Sequence, residues 1–232
     1  MSIFSGDKNI YPSVVSVPTV YETPTVYDTG SGGGHENVVE INGVNYPYIQ
    51  IDNQLWLSKN LDITWDGLLN FDGTIYDNDT NPRAVWYEKK QWLFGADASD
   101  FGLLYNGFAA DYIQNNFAGD GWHIPLDDDW TTLINNVGLN PSNKLLTKGW
   151  WSSGNSNDEF GLGIKPAGEY QKAGDSFSSI YTRCDVWSQN KDSYDQKYYC
   201  SFSANNISHG PSYIMNRNGL RKGCTIRLCK NL

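Results

Sequence analysis

The chain has 232 residues and a formal net charge of −9, from 17 basic and 26 acidic side chains. That length buries one substantial core, with room for an appendage but not for a second full-sized domain, and an acidic surface without any Lys/Arg run repels phosphate backbones, which excludes nucleic acid as the expected ligand. With 9 Trp, 15 Tyr and 9 Phe against 2 Met, and with 23 Gly, the composition fits a loop-rich, β-containing domain and not a helical bundle.

The opening residues, Met1 to Lys8, lack the basic stretch and apolar run of a secretory signal. No segment approaches the roughly 18 apolar residues that cross a bilayer as a helix. Synthesis in a cytoplasm without membrane insertion is therefore expected. Residues 1–34 differ in kind from the rest: Pro18-Thr19-Val20-Tyr21-Glu22-Thr23 is followed at once by Pro24-Thr25-Val26-Tyr27-Asp28-Thr29, and Gly30-Ser31-Gly32-Gly33-Gly34 closes the segment. The recurrent proline forbids helix and favours an extended course, and the Gly/Ser run is a flexible joint. Two readings stay open, a disordered leader or an anchor. In the second, Val14, Val15, Val17, Val20, Tyr21, Val26 and Tyr27 are too apolar for a solvating tail and dock in a groove or pair with a sheet edge on a partner.

Globular patterning follows over 35–232. Val38 to Ile41, Asn42-Gly43 and Val44 to Tyr46 predict a hairpin, because Asn-Gly supplies the positive φ angles of a type I′ turn. Tyr48 to Ile51, Asp52-Asn53 and Gln54 to Leu57 predict a second turn of the same meander. A helix is predicted over 103–113, with Leu104, Tyr105, Phe108, Ala109, Tyr112 and Ile113 on one stripe. A second is predicted where Asp127, Asp128 and Asp129 load the positive end of a helix dipole, Trp130, Leu133, Ile134 and Val137 form the apolar stripe, and Gly138 closes it. After residue 160 short strands are predicted at 177–181, 186–188, 198–203, 213–215 and 225–229. The order of sheet, helices and strands is an α+β arrangement.

Several segments resemble the Fibrobacter succinogenes major paralogous domain, in that family's order. Gln54-Leu55-Trp56 with Asn60-Leu61 is similar to its opening. Gly102-Leu103-Leu104-Tyr105-Asn106, Gly121-Trp122-His123-Ile124-Pro125 and Asp129-Trp130 to Leu133 are similar to its central motifs. Lys144 to Trp150, Asn157 to Gly161, Ala167 to Tyr170 and Gly223 to Cys229 follow. The resemblance implies a C-type-lectin-like fold: a terminal hairpin, two helices and a loop-rich antiparallel sheet that binds and does not catalyse. Where members carry Cys-Pro, this chain has Ala118-Gly119-Asp120, so no partner for Cys229 is inherited. The arm also departs from relatives that begin with export signals, and points to a bacteriophage virion protein.

Enzyme chemistry finds little support. Of three histidines, His35 lies in the linker, His123 is expected to be structural at the entry to the second helix, and neither His123 nor His209 sits in a nucleophile-elbow sequence. Paired carboxylates for glycoside cleavage remain an alternative that only spatial separation decides. Asp77, Asp79, Asn81 and Glu88 mimic an EF-hand loop, but Pro82 stands where that loop turns on glycine. Cys184, Cys200, Cys224 and Cys229 show no C-x-x-C spacing and no zinc arrangement, and free thiols are expected, with a structural disulfide as the alternative. No metal and no cofactor is expected.

The expected ligand surface is Trp187, Tyr194, Asp195, Tyr198, Tyr199, Asn205, Asn206, His209, Tyr213 and Asn216, where aromatic faces and amides suit sugars or protein side chains. Strand alternation requires only one of Tyr198 and Tyr199 to face outward. The expected function is that of a non-enzymatic virion protein, a head fibre, decoration or tail-tip protein. Residues 1–34 would hold capsid or tail proteins, the remainder would bind a host-surface glycan or protein, and the assembly would be a homo-oligomer, a trimer by analogy. A bacterial surface or secreted carbohydrate-binding module is the alternative, and a glycan-cleaving enzyme the third reading.

Overall fold

A computed structural model describes residues 37–71, 80–86, 98–152, 154–171, 176–194, 196–209, 220 and 222–232, and the backbone of 26–27 and 214–215. The expectations for Val14, Val15, Val17, Val20, Tyr21, Asp195, Tyr213 and Asn216, and for Asp77, Asp79 and Glu88 of the EF-hand-like segment, lie outside the described residues.

The predicted meander forms. Strands β2 (Asn37–Ile41) and β3 (Val44–Ile51) are joined by Asn42 and Gly43 at φ 49° and 75°, the left-handed geometry a type I′ turn demands. Asp52 at φ 53° leads the chain from β3 into β4 (Gln54–Leu57). Alternation turns Val39 and Ile41 of β2 into the core, along with Tyr46 of β3. β1 (Val26–Tyr27) pairs with β2 at Val39 and Val38, so the second arm repeat meets this chain's own sheet edge. At the other side β14 (Cys229–Asn231) pairs with β4, and the sheet order is β1-β2-β3-β4-β14.

The first helix starts later than its apolar spacing predicts. Leu104–Tyr105 is a strand, β7, which pairs with β6 (Arg83–Val85), itself beside β5 (Leu69–Asn70). Helix α1 spans Gly107–Asn116. Two causes move the start. Tyr105 exchanges backbone hydrogen bonds with Cys224 at 2.8 and 2.9 Å, and Asn106 adopts the extended N-cap geometry and accepts from the Ala109 N–H at 2.8 Å. Helix α2 spans Asp127–Val137 as predicted, with Trp130, Leu133 and Val137 buried and Gly138 at φ 74°. The Asp129 carboxylate reaches back to the Leu126 N–H at 2.7 Å, and Asn190 accepts from the Asp127 N–H at 2.6 Å. These contacts satisfy helix donors that Leu126 cannot cap. A short α3 (Pro141–Leu145) follows, begun by a proline whose absent N–H costs nothing there.

The late strands are β8 (Glu169–Gln171), β9 (Ser176–Ser178), β10 (Arg183–Lys191), β11 (Lys197–Ser203), β12 (Asn206–Ser208) and β13 (Ile214–Met215). β10, β11 and β12 form an antiparallel sheet, and β13 joins β11. β10 divides two cores: Val186 belongs to the cluster that holds Trp56, Trp130 and Phe202, whereas Trp187 belongs to the one that holds Tyr105, Ile113 and Trp122. All four cysteines are free and buried. The buried Arg227 donates to Asn60 Oδ1 at 2.8 and 3.0 Å and to the Leu162 and Gly163 carbonyls, tying the last segment to the loop before β8. The architecture is a mixed α+β fold of several small sheets and short helices.

Candidate functional site

Register places a polar stripe on one face of β10–β11–β12. Arg183 lies opposite Ser203, which lies opposite Asn206, while Asp185 lies opposite Ser201, which lies opposite Ser208. The intervening residues Cys184, Val186, Cys200, Phe202 and Ile207 turn to the core. One face is therefore packed and the other carries hydroxyl, amide and guanidinium groups.

Arg183 is fixed from three sides. Its Nε donates to Asp185 Oδ1 at 2.7 Å and to Ser201 Oγ at 3.0 Å, and its Nη2 to the Tyr199 hydroxyl at 3.3 Å. The guanidinium carbon and the Lys222 ammonium stand 5.8 and 6.0 Å from the centre of the Tyr199 ring, within cation–π range. Lys222 forms an ion pair with Glu169 and lies 3.7 Å from Asp185. The second Glu169 oxygen accepts from Gln171 at 2.7 Å and Ser178 at 3.1 Å. Two cations thus rest on two buried carboxylates, which limits the desolvation cost of burying either charge alone.

Burial pushes the Asp185 carboxyl above its usual range, although the Arg183 guanidinium pulls it the other way. Burial likewise lowers the Lys222 ammonium and raises the Tyr199 hydroxyl. The Asp185 side chain is 0% exposed and that of Glu169 4%. A general acid must lie within hydrogen-bond reach of its leaving oxygen, and these carboxylates sit beneath the cations and orient them. Arg183, 32% exposed at its side chain, and Lys222, 21% exposed, are the charged groups of this cluster that reach solvent. Beside it Ser203 and Ser208 are half-buried and Asn206 is exposed, giving donors and acceptors spaced by the roughly 4.8 Å between strands.

Of the predicted contact residues, Tyr199 and Asn206 belong to this face. Trp187 is a correction: it is fully buried, and its indole N–H donates to the Tyr105 carbonyl at 2.7 Å, because this part of the face packs against β7 and α1. Tyr198 lies on the Cys200 side of β11, half-buried, and pairs with β13 through its backbone. Tyr194 is 79% exposed in the turn joining β10 to β11, beyond the bulge that separates that end from Arg183. Asn205 is exposed in the β11–β12 turn. His209 is held by Asp127 at 2.6 Å, a contact that fastens the chain after β12 to the start of α2. Arg183, Ser201, Ser203, Ser208, Lys222 and Glu169 were missed; the period-two pairs Arg183/Asp185 and Ser201/Ser203 are their only local signal. An open depression of about 450 Å³ bordered by Tyr48, Gln50, Ser58 and Phe160 lies elsewhere, along β3, and its lining carries no charged side chain.

The model of the Fibrobacter succinogenes major domain family matches residues 49–230. The chain belongs to this family. In this Fibrobacter succinogenes major domain the polar face lies wholly inside the matched span, whereas β1 and β2 precede it. Searches of the curated proteins and of the solved structures found no match. No helix among the described residues is long and apolar enough to cross a membrane.

Proposed function

We propose that this Fibrobacter succinogenes major domain protein is a non-enzymatic adhesive component of a bacteriophage particle, a head fibre, decoration or tail-tip protein. In this reading residues 1–34 hold a capsid or tail protein and the polar face of β10–β12 contacts a host-surface glycan or protein. Family membership supports the adhesin-type part of the reading. The finer, C-type-lectin-like reading of the fold draws support from three features: the early strands share one sheet with the last, two main helices lie between them, and a second sheet carries the late loops. The repeated Pro-Thr-Val-Tyr arm supports attachment to a particle.

The observation that carries the binding role is the Arg183 guanidinium, presented beside Ser203, Asn206 and Ser208 and fixed by Asp185, Ser201 and Tyr199. A fixed donor loses little entropy on engaging a hydroxyl-rich ligand. The test is a glycan array and a host-cell binding assay with the purified chain and with Arg183→Ala and Ser203→Ala. Loss of about tenfold or more in affinity at unchanged circular dichroism is expected, since a charge-assisted hydrogen bond contributes about 1.5–3 kcal/mol. Binding that survives both substitutions sinks the assignment of this face. Family membership also suits a bacterial surface or secreted carbohydrate-binding module. Detection of the protein on cell envelopes and not in purified particles would select that reading.

A further inference from the structure

Away from the polar face, His123, Asp129 and Cys229 converge, and their ligating atoms all lie within 4.8 Å of one another. His123 and Cys229 are direct cross-strand partners, joined by backbone hydrogen bonds of 2.8 and 2.9 Å. His123 Nδ1 is 2.9 Å from the Gly121 carbonyl oxygen. A carbonyl only accepts, so Nδ1 carries the proton and the remaining nitrogen, Nε2, is aimed at the other two groups. Nε2 lies 2.8 Å from Asp129 Oδ2 and 3.4 Å from Cys229 Sγ. A carboxylate oxygen, a sulfur and an imidazole lone pair that face one another repel unless something electropositive sits among them. Either a proton or a metal ion meets that need.

We infer that these three side chains form a zinc site. Zinc bonds of about 2.0–2.1 Å to nitrogen, 2.3 Å to sulfur and 2.0–2.2 Å to oxygen set tetrahedral ligand separations of about 3.6 Å for N···S and about 3.3 Å for N···O. The N···S distance of 3.4 Å already fits, a retreat of Asp129 by about half an ångström brings N···O to its tetrahedral value, and the S···O edge lies within 4.8 Å. Thiolate, carboxylate and neutral imidazole balance a divalent ion, so the filled site buries no net charge. The mix of sulfur and nitrogen favours zinc over calcium or magnesium. Outer contacts that orient metal ligands are in place: Gly121 O on His123, and Asn231 Nδ2 donating to Asp129 Oδ1 at 2.8 Å. His123 exposes 18% of its side chain, leaving a route for the ion and for a water as fourth ligand. The residues lie on the entry to α2, within α2 and on β14, so zinc here clasps the last strand to the helix.

The test uses the full chain, reduced and stripped with a chelator, then titrated with zinc alone and with cobalt. One zinc per chain is expected, with a higher melting temperature and, for cobalt, a thiolate-to-metal charge-transfer band. Cys229→Ala should abolish that band and weaken zinc at least about 100-fold, Asn231→Ala should weaken it about 10–100-fold, and Cys224→Ala should change neither. Asn231 is exposed, so its variant reports even where Cys229→Ala does not fold. Substoichiometric zinc, cobalt without a thiolate band, or equal affinity in Asn231→Ala and the parent overturns the site and leaves a proton as the shared electropositive partner.

Discussion

A buried charge holds its neighbours to a stricter account than any other single residue, and Lys197 illustrates this. Its side chain is 0% exposed, and cross-strand register sets it directly opposite Lys191, a pairing of like charges that alone destabilises a sheet. Asp111 on α1 resolves the conflict, with one carboxylate oxygen 2.8 Å from Lys197 and the other 2.9 Å from Lys191. Burial would raise the Asp111 pKa, but Lys197 and then Lys191 outweigh it and hold the carboxyl below its ordinary 3.8. The carboxylate is a third exposed, so solvent screens part of the attraction. Asp111→Asn is expected to lower stability by about 2 kcal/mol near neutral pH, less than breaking a wholly buried pair. Because the folded pKa lies below the unfolded one, the stabilisation is present above pH 3.8 and disappears as pH falls through the folded value. Urea unfolding of both proteins across that range should show the gap closing in acid. A gap that stays constant with pH would show that Asp111 acts through packing alone.

At the scale of elements, backbone geometry separates positions that look alike in sequence. Gly138 and Gly168 both have positive φ, at 74° and 68°. A Cβ at Gly138 meets nothing within 4 Å, whereas at Gly168 it would stand 2.4 Å from the Ser178 carbonyl oxygen and 2.8 Å from the Ile180 nitrogen. Gly138→Ala is therefore expected to cost about 1–3 kcal/mol from its dihedrals alone, since φ 74° with ψ −139° is close to a region that only glycine adopts readily. Gly168→Ala should cost about 3 kcal/mol or more, because the β8–β9 pair must open to admit a methyl group. Thermal unfolding ranks the two, and equal losses would mean that the backbone at β8 yields without penalty. The same contrast explains what was legible. The hairpin at Asn42-Gly43 and helix α2 were readable because turn chemistry and helix caps are written within a few residues. The start of α1 was not, since Leu104 and Tyr105 satisfy a helical stripe equally well and only the distant Cys224 draws them into a strand. The candidate face divides the same way. Residue type selects Tyr199 and Asn206, which stand on the polar face, but the same aromatic criterion selects Trp187, which tertiary packing buries. Lys222, Glu169, and the cluster of His123, Asp129 and Cys229 meet only through topology, so no spacing announces them.

For the whole molecule, the decisive question is whether the arm and the sheet domain act as separable parts. β1 adds a two-residue pairing to the outer edge of β2, while β2, β3, β4 and β14 hold one another through longer ladders and bury Val39, Ile41, Tyr46 and Trp56. Among the described residues, removal of residues 1–34 takes away that edge pairing and no member of the two cores. The truncated chain should thus unfold within about 2 kcal/mol of the parent, since two edge pairs contribute roughly 0.2–1 kcal/mol each. Its binding to the ligand of the polar face should be unchanged. Under the anchoring role proposed above, incorporation into particles should in contrast be lost, because the apolar Val and Tyr positions of the repeats would be what a partner's groove or sheet edge takes up. Transplanting residues 1–34 onto an unrelated soluble domain should carry that domain into particles. Retention of the truncated chain in particles would place attachment on the sheet domain and leave the repeat to its own β2 edge. Loss of ligand binding on truncation would instead join arm and face into one functional unit, which the distance in topology between β1 and β10–β12 argues against.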